Sequence, residues 1–316
     1  MTVPVTVAYT PEYLDWRLGA GHPTNPERAR LAVEQIRDWA AAEDVEVRRQ
    51  TPTLDLDRVF GEAPRVHTAR YLAELEAGRC DEWSGTDRRL RDVAALMFTG
   101  TVDLVEDLLR DWRPGIWFNP QGAKHHAHAD RSSGFCVLND MAYAATRLTA
   151  DGNRVLYVDW DAHHGDGVEA LLLDNPRAVT ASIHDRTIFP GTGRGSRPDL
   201  GGYNWPLARG AGDADLAEAI GEVLDLAEQE APDVLLLACG ADGLAGDPLS
   251  SLTYTLEGIG AAAARIGAWT AERGLPVVVG GAGGYQPLTE TPAAWALTVS
   301  TLYQAHAGAL HQSPAG

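Results

Sequence analysis

Two aspartates and a histidine stand at alternate positions in Asp159-x-Asp161-x-His163, inside the dense run DWDAHHGDG of residues 159–167. The run follows the apolar stretch 155–158, and an extended chain points every second side chain to the same side. Two carboxylates and an imidazole presented together are a donor set for zinc, with iron and manganese as alternatives, and leave a coordination position for water. A single aspartate at a strand end more often caps the next turn, but the constellation as a whole is too concentrated for that reading. A further ligand has to come from elsewhere, and Asp247, in Gly246-Asp247-Pro248, is the best candidate.

His125-His126 forms a second cluster, in a loop too polar to be core. Adjacent histidines suit a base and its partner, provided that hydrogen bonds, usually to buried carboxylates, set each ring's tautomer and pKa. Asp159 and Asp166 are the available carboxylates; on its own, a histidine pair is more often a surface feature. A third segment, Gly280-Gly281-Ala282-Gly283-Gly284-Tyr285, reads either as a tight strand-to-helix turn or as a mount that places a tyrosine hydroxyl against a developing oxyanion. It is not a phosphate cradle, because no Gly-x-Gly-x-x-Gly opens a helix and no Gly-Lys-Ser/Thr is present. His22, His67, His128, His306 and His311 read as bystanders.

The elements that must position these residues alternate along the chain. Apolar runs at 3–8, 155–158, 179–183, 234–238 and 277–279 predict buried strands. Helical patterns cover 26–42, 87–112, 137–149, 213–230, 255–273 and 292–306, the first opened by Asn25-Pro26-Glu27. The alternation predicts an α/β fold, one domain over residues 1–316 with a mainly parallel central sheet and helices on both faces. Ligands of such sheets sit beyond the carboxyl ends of the strands, and all three polar clusters follow a predicted strand or lie in a long loop.

Composition narrows the partners. Lys plus Arg number 26 against 44 Asp plus Glu, a formal charge of -18, which argues against a broad phosphate-binding face and favours cationic substrates. Lys124 is the only lysine; arginine supplies the other positive charges. Cys80, Cys136 and Cys239 are widely spaced with no Cys-x-x-Cys, so neither a disulfide framework nor a thiolate metal site is indicated, and a reducing cytoplasm is expected. The start of the chain lacks the pattern of a signal peptide, and no apolar run approaches ~18 residues, so no membrane association is expected.

Taken together, these motifs resemble the zinc-dependent histone deacetylases and their bacterial relatives, the acetoin-utilisation proteins and acetylpolyamine amidohydrolases. The matching blocks are Gly21-His22-Pro23 with Pro26-Glu27-Arg28, His125-His126-Ala127 with Ser133-Gly134-Phe135-Cys136, the 159–169 run, Phe189-Pro190-Gly191-Thr192-Gly193, the 240–248 segment, and Gly283-Gly284-Tyr285. The resemblance implies the arginase/deacetylase fold and hydrolysis of an acetyl amide by metal-activated water. It implies Asp161, His163 and Asp247 as zinc ligands, with Fe2+ as the alternative metal, and His125 and His126 as paired catalytic histidines supported by Asp159 and Asp166. Tyr285 would polarise the carbonyl, while Gly134, Phe135, Phe189 and Gly283 would line the substrate tunnel. Arg28 would line an internal channel for acetate, and a structural K+ would use Asp159, Asp161, His163 and Ser182.

The Gly122-Ala123-Lys124 before the histidine pair and Asn139-Asp140 after it look like the acetoin-utilisation branch, which implies acetyl-lysine side chains of proteins or peptides as substrate. Acetylpolyamines or other small amides are the alternative. An arginase-type ureohydrolase fits poorly because the pattern for a second metal is missing, and a binding protein without turnover is disfavoured by the complete set of reactive residues. Two features depart from the family. Ala282 replaces a common glycine, and segment 79–87 offers Asp81 and Asp87 without a clean match to the rim aspartate that orients substrate.

Overall fold

A computed structural model describes residues 3–312. Met1, Thr2 and residues 313–316, which the expected 1–316 domain includes, lie outside the described residues, as does the side chain of His311. In chain order the strands are β1 (Val5–Ala8), β2 (Val47–Gln50), β3 (Gly115–Asn119), β4 (Val155–Asp159), β5 (Ala178–Asp185), β6 (Gly202–Leu207), β7 (Val234–Ala238) and β8 (Pro276–Gly280). The helices are α1 (Glu27–Ala42), α2 (Leu56–Glu62), α3 (Ala69–Glu76), α4 (Arg88–Arg110), α5 (Asp140–Ala150), α6 (Asp166–Leu172), α7 (Asp213–Glu230), α8 (Leu256–Glu272) and α9 (Glu290–Gln312).

All eight strands form one parallel sheet in the order β2-β1-β3-β8-β7-β4-β5-β6. The α/β expectation holds, and each of the five anticipated strands is present. β2, β3 and β6 are not among the expected strands, although β3 carries the short apolar run Ile116-Trp117-Phe118. β2 (VRRQ) and β6 (GYNWPL) are the two sheet edges, where one side is open and polar residues are tolerated. Central strands read as near-continuous apolar runs because helices cover both faces: every residue of β3, β4, β7 and β8 is buried.

Register places the site. Asp159 is level with Ala238 on one side and Ser182 on the other, Ala238 is level with Gly280, and Gly280 with Asn119. The chain therefore leaves β3, β8, β7 and β4 at one height while β5 runs on to Asp185, and the loops that follow converge on a common rim. No helix among the described residues is long and apolar enough to cross a membrane.

Candidate active site

The residues just beyond β4 are fixed by the chain's own amides. Asp159 Oδ1 accepts the Asp161 N–H at 3.0 Å, and Asp161 Oδ1 accepts the His163 N–H at 2.8 Å, so a turn in the backbone aims the side chains instead of a continued strand. His163 Nδ1 then faces two carboxylates, Asp161 Oδ1 at 3.0 Å and Asp242 Oδ2 at 2.8 Å. Asp161, His163 and Asp242 are buried, with one ligand atom from each lying within 4.8 Å of the others.

Asp247, the expected third ligand, stands next to this group, close enough to feel the Asp161 and His163 charges. Asp247 Oδ1 accepts the Leu249 N–H at 2.9 Å and Oδ2 accepts the Tyr285 N–H at 2.7 Å. The loop after β7 sets both positions. Ala241 N–H bonds to the Gly283 carbonyl and keeps Asp242 beside the cluster, whereas the turn closed by Asp247 N–H to the Leu244 carbonyl carries Asp247 toward the 285 backbone. Both aspartates stood in one segment of the sequence, and only the path of this loop separates them.

Burial without a counter-charge is costly for such a group. Burial and the neighbouring Asp161 charge raise the Asp242 pKa, while the two carboxylates outweigh burial at His163 and hold its imidazole well above the usual range. Two oxygen donors and one imidazole nitrogen, crowded and buried, suit a divalent cation such as zinc. Gly283 closes one side: its N–H donates to Asp161 Oδ2 at 2.6 Å, and any Cβ there would collide with the Asp161 and Asp242 carboxylates.

The histidine pair is held from behind by the expected carboxylates. His125 Nδ1 lies 2.8 Å from Asp159 Oδ2, which also accepts the Tyr157 hydroxyl, and His126 Nδ1 lies 2.7 Å from Asp166 Oδ1. Both rings are buried, with centroids 4.0 Å apart, yet their charges diverge. Burial alone favours a neutral His125, but Asp159 and Asp161 outweigh it and lift the pKa to about 9. At His126, burial and then the charge on His125 prevail over Asp166 and depress the pKa to about 3. One ring is thus cationic and the other neutral at pH 7.

Tyr285 is half-buried, and burial of its hydroxyl, followed by the Asp242 charge, pushes the pKa well above 10, so it remains a proton donor. Its ring meets Phe135 edge-on at 6.1 Å and His163 at 6.5 Å. A pocket of about 380 Å³ is lined by His126, Gly134, Phe135, His163, Phe189 and Tyr285, with Leu249 added from the loop after β7. Phe189 is 49% exposed, which puts it at the mouth, and its ring lies 5.0 Å from that of His126. Gly134 has φ +55°, and a Cβ there would strike the His126 ring, so close approach of the wall requires glycine.

Arg28 is buried, donates from Nη1 to the Gly284 carbonyl at 2.7 Å, and lies over the rings of Tyr285 and Trp295. Ser182 pairs with His184, Oγ to Nδ1 at 3.1 Å, one residue level across from Asp159.

Sequence reasoning passed over three residues near this site. His128 is not a bystander: its Nε2 lies 3.1 Å from Asp166 Oδ2, so one carboxylate holds two histidines. His22 packs edge-on against Phe135 at 4.5 Å. In segment 79–87 neither aspartate reaches the pocket wall, since Asp87 caps α4 through the Leu90 N–H and Asp81 is tied by its own N–H to Ser132 Oγ. Glu82 reaches it instead, accepting the Phe135 N–H at 2.9 Å. No spacing rule pointed to these contacts; each depends on two loops meeting.

The chain matches the histone deacetylase domain over residues 22–302. It is 32% identical over 314 residues to the acetoin utilization protein AcuC of Bacillus subtilis, an alignment covering 91% of this chain and 79% of that protein. It is also 33% identical over 270 residues to the uncharacterized protein slr0245 of Synechocystis, covering 81% and 87% of the two chains. Histone deacetylase RPD3 of Saccharomyces cerevisiae is 29% identical over 303 residues, with 89% and 68% covered.

Proposed function

Because the chain belongs to the histone deacetylase family and is of the acetoin-utilisation type, we propose that it is a zinc-dependent hydrolase that removes acetyl groups from lysine side chains of proteins or peptides. The observation that carries this reading is the pair of adjacent buried histidines, each held from behind by its own carboxylate, beside the Asp161-His163-Asp242 group and Tyr285. We assign Asp161, His163 and Asp242 as the residues that hold the metal. When bound, zinc, or iron in its place, supplies the Lewis acidity that polarises the amide carbonyl and acidifies water.

The protein groups divide the remaining work. His126 gives its Nδ1 proton to the Asp166 hydrogen bond, which leaves Nε2 as the acceptor for a proton from the attacking water. Hydroxide adds to the carbonyl carbon, the C–N bond breaks, and the proton held on His126 passes to the departing amine, leaving acetate. His125 stays cationic on Asp159 and favours the negative charge that develops on the carbonyl oxygen. Tyr285 donates its O–H to that oxygen, with its backbone anchored by Asp247. Phe135 and Phe189 flank an aliphatic chain, with Gly134 and Gly283 allowing close approach.

We place a structural K+ around Asp159, Asp161, His163 and Ser182, by likeness to the family. The activity is assigned to a single domain and to the cytoplasm, where Cys80, Cys136 and Cys239 would persist as the free thiols that they are here. A charge of -18 draws basic peptides and polyamines alike, so substrate must be decided by rate. The experiment compares zinc-loaded protein on an acetyl-lysine peptide, acetylputrescine and acetylspermidine, with Asp242→Ala as blank. A higher kcat/KM for the peptide is expected. Preference for the polyamines would move the assignment to small amides, and no metal-dependent turnover on any of them would overturn the hydrolase reading for these substrates.

A further inference from the structure

The two carboxylates behind the histidine pair are supported unequally. Asp159 is pinned from three directions: Oδ1 accepts the Asp161 N–H at 3.0 Å, and Oδ2 accepts the Tyr157 hydroxyl at 2.6 Å as well as facing His125 Nδ1. Asp166 has no such frame. It is the first residue of α6, half-buried, and among the described residues its carboxylate has two hydrogen-bond partners, both imidazoles. His126 Nδ1 lies 2.7 Å from Oδ1, and His128 Nε2 lies 3.1 Å from Oδ2. Burial favours the neutral acid, but the His126 hydrogen bond and the neighbouring histidines outweigh it and hold the pKa at about 2, so both oxygens remain acceptors.

A carboxylate turns about two side-chain bonds, and a single contact leaves those rotations open. A second donor on the opposite oxygen fixes its plane. That plane matters at His126, because Asp166 is the only acceptor that the described residues give its Nδ1. The partner of one ring nitrogen decides which of the two carries the proton. The position of His128 does not depend on its own ring. Its N–H donates to the Arg131 carbonyl at 3.0 Å, and its carbonyl accepts His67 Nδ1 at 2.9 Å. On either side, the Ala127 carbonyl accepts Asn139 Nδ2 at 2.8 Å and the Ala129 carbonyl accepts the Thr68 N–H at 2.7 Å. The backbone therefore keeps its course whatever side chain residue 128 carries.

We propose that His128 is a positioning residue: it holds Asp166 by the second oxygen and thereby keeps the proton of His126 on Nδ1, with Nε2 bare to accept a proton from water. His128 does not line the substrate pocket, so it acts through Asp166 alone. It does for Asp166 what Tyr157 and the Asp161 N–H do for Asp159. The consequence for turnover rests on the hydrolase reading; the hold on Asp166 does not.

The test measures steady-state rates of zinc-loaded wild type, His128→Ala and His128→Gln on an acetyl-lysine peptide, beside proton NMR of the same proteins carrying isotope-labelled histidine. The Nδ1 proton of His126, identified by its loss in His126→Ala, is expected as a slowly exchanging downfield resonance in wild type. His128→Ala should lose about tenfold in kcat with KM within about twofold, the effect of one lost hydrogen bond to an ionised group, and the resonance should broaden through exchange. His128→Gln, whose amide nitrogen takes the place of Nε2, should restore both. An unchanged kcat and resonance in His128→Ala would overturn the proposal, and so would a loss that His128→Gln does not restore. Should His128→Ala fail to fold, His128→Met, which fills the space without a donor, replaces it. Absence of turnover by wild type would count against the hydrolase reading alone, since the resonance still decides the hold on Asp166.

Discussion

Asp242 and Asp247 are separated by five positions and by very different surroundings. Asp242 faces His163 Nδ1 at 2.8 Å, while both oxygens of Asp247 are occupied by backbone N–H groups, one of them that of Tyr285. Asp242→Ala is therefore expected to lose the bound metal, and Asp247→Ala to keep it while losing up to about 100-fold in kcat through misplacement of the tyrosine. Metal content by mass spectrometry beside steady-state rates separates the two, and metal loss in Asp247→Ala with retention in Asp242→Ala would reverse the assignment. At the same scale, Ala282 has φ +59°, a left-handed conformation in which a Cβ is strained. Ala282→Gly is expected to raise stability by up to about 1 kcal/mol, the relief exceeding the extra freedom that glycine adds to the unfolded chain. A lower melting temperature in the variant would contradict this.

At the scale of elements, the pocket wall is held by loops. Phe135 also has a left-handed φ, +65°, and its N–H is secured by Glu82 from the segment between α3 and α4. Trp83 anchors that segment, with Nε1 bonded to the Gly78 carbonyl and its ring edge-on to Trp16. Glu82→Ala should let Phe135 shift and raise KM by about tenfold with a smaller change in kcat, whereas Glu82→Gln keeps an acceptor and most of the affinity; the magnitude follows from loss of one hydrogen bond to a charged group. Equal KM values in wild type and both variants would remove Glu82 from this role. The strands and long helices were legible in advance, since α7 at 213–230 and the runs at 155–158 and 234–238 carry strong apolar periodicity. Loops such as 79–87 carry none, because their conformation is set by the partners they meet.

At the scale of the whole molecule, burial forces three histidines to stay neutral. Burial lowers the pKa values of His67, His184 and His306 to about 4 each. His67 shows why the proton is excluded: Nδ1 donates to the His128 carbonyl, while Nε2 must remain bare to accept the Asn139 N–H. The unfolded chain takes up these protons near pH 6.5, and the folded chain only near 4. The contribution of these three histidines to stability is thus constant above about pH 6.5 and is lost as pH drops toward 4, by about 3 kcal/mol per histidine at most. Thermal melts from pH 7.5 to 4.5 should show this decline, and it should be shallower in His67→Gln; identical slopes would refute the contribution of His67.

The sequence by itself determined the α/β architecture, the candidate metal-binding run at 159–163, the histidine pair with its two carboxylates, and the membership of a deacetylase family. These are matters of periodicity and of residues close in the chain, and local geometry constrains them strongly. Tertiary structure alone decided that Asp242 stands beside Asp161 and His163, that Glu82 and not Asp81 or Asp87 reaches the pocket wall, and that Lys124 and Arg28 share one cavity. Each of these depends on where a loop goes after leaving the sheet. That path is set by backbone hydrogen bonds between segments distant in sequence, such as Ala241 to Gly283, which no pattern along the chain encodes.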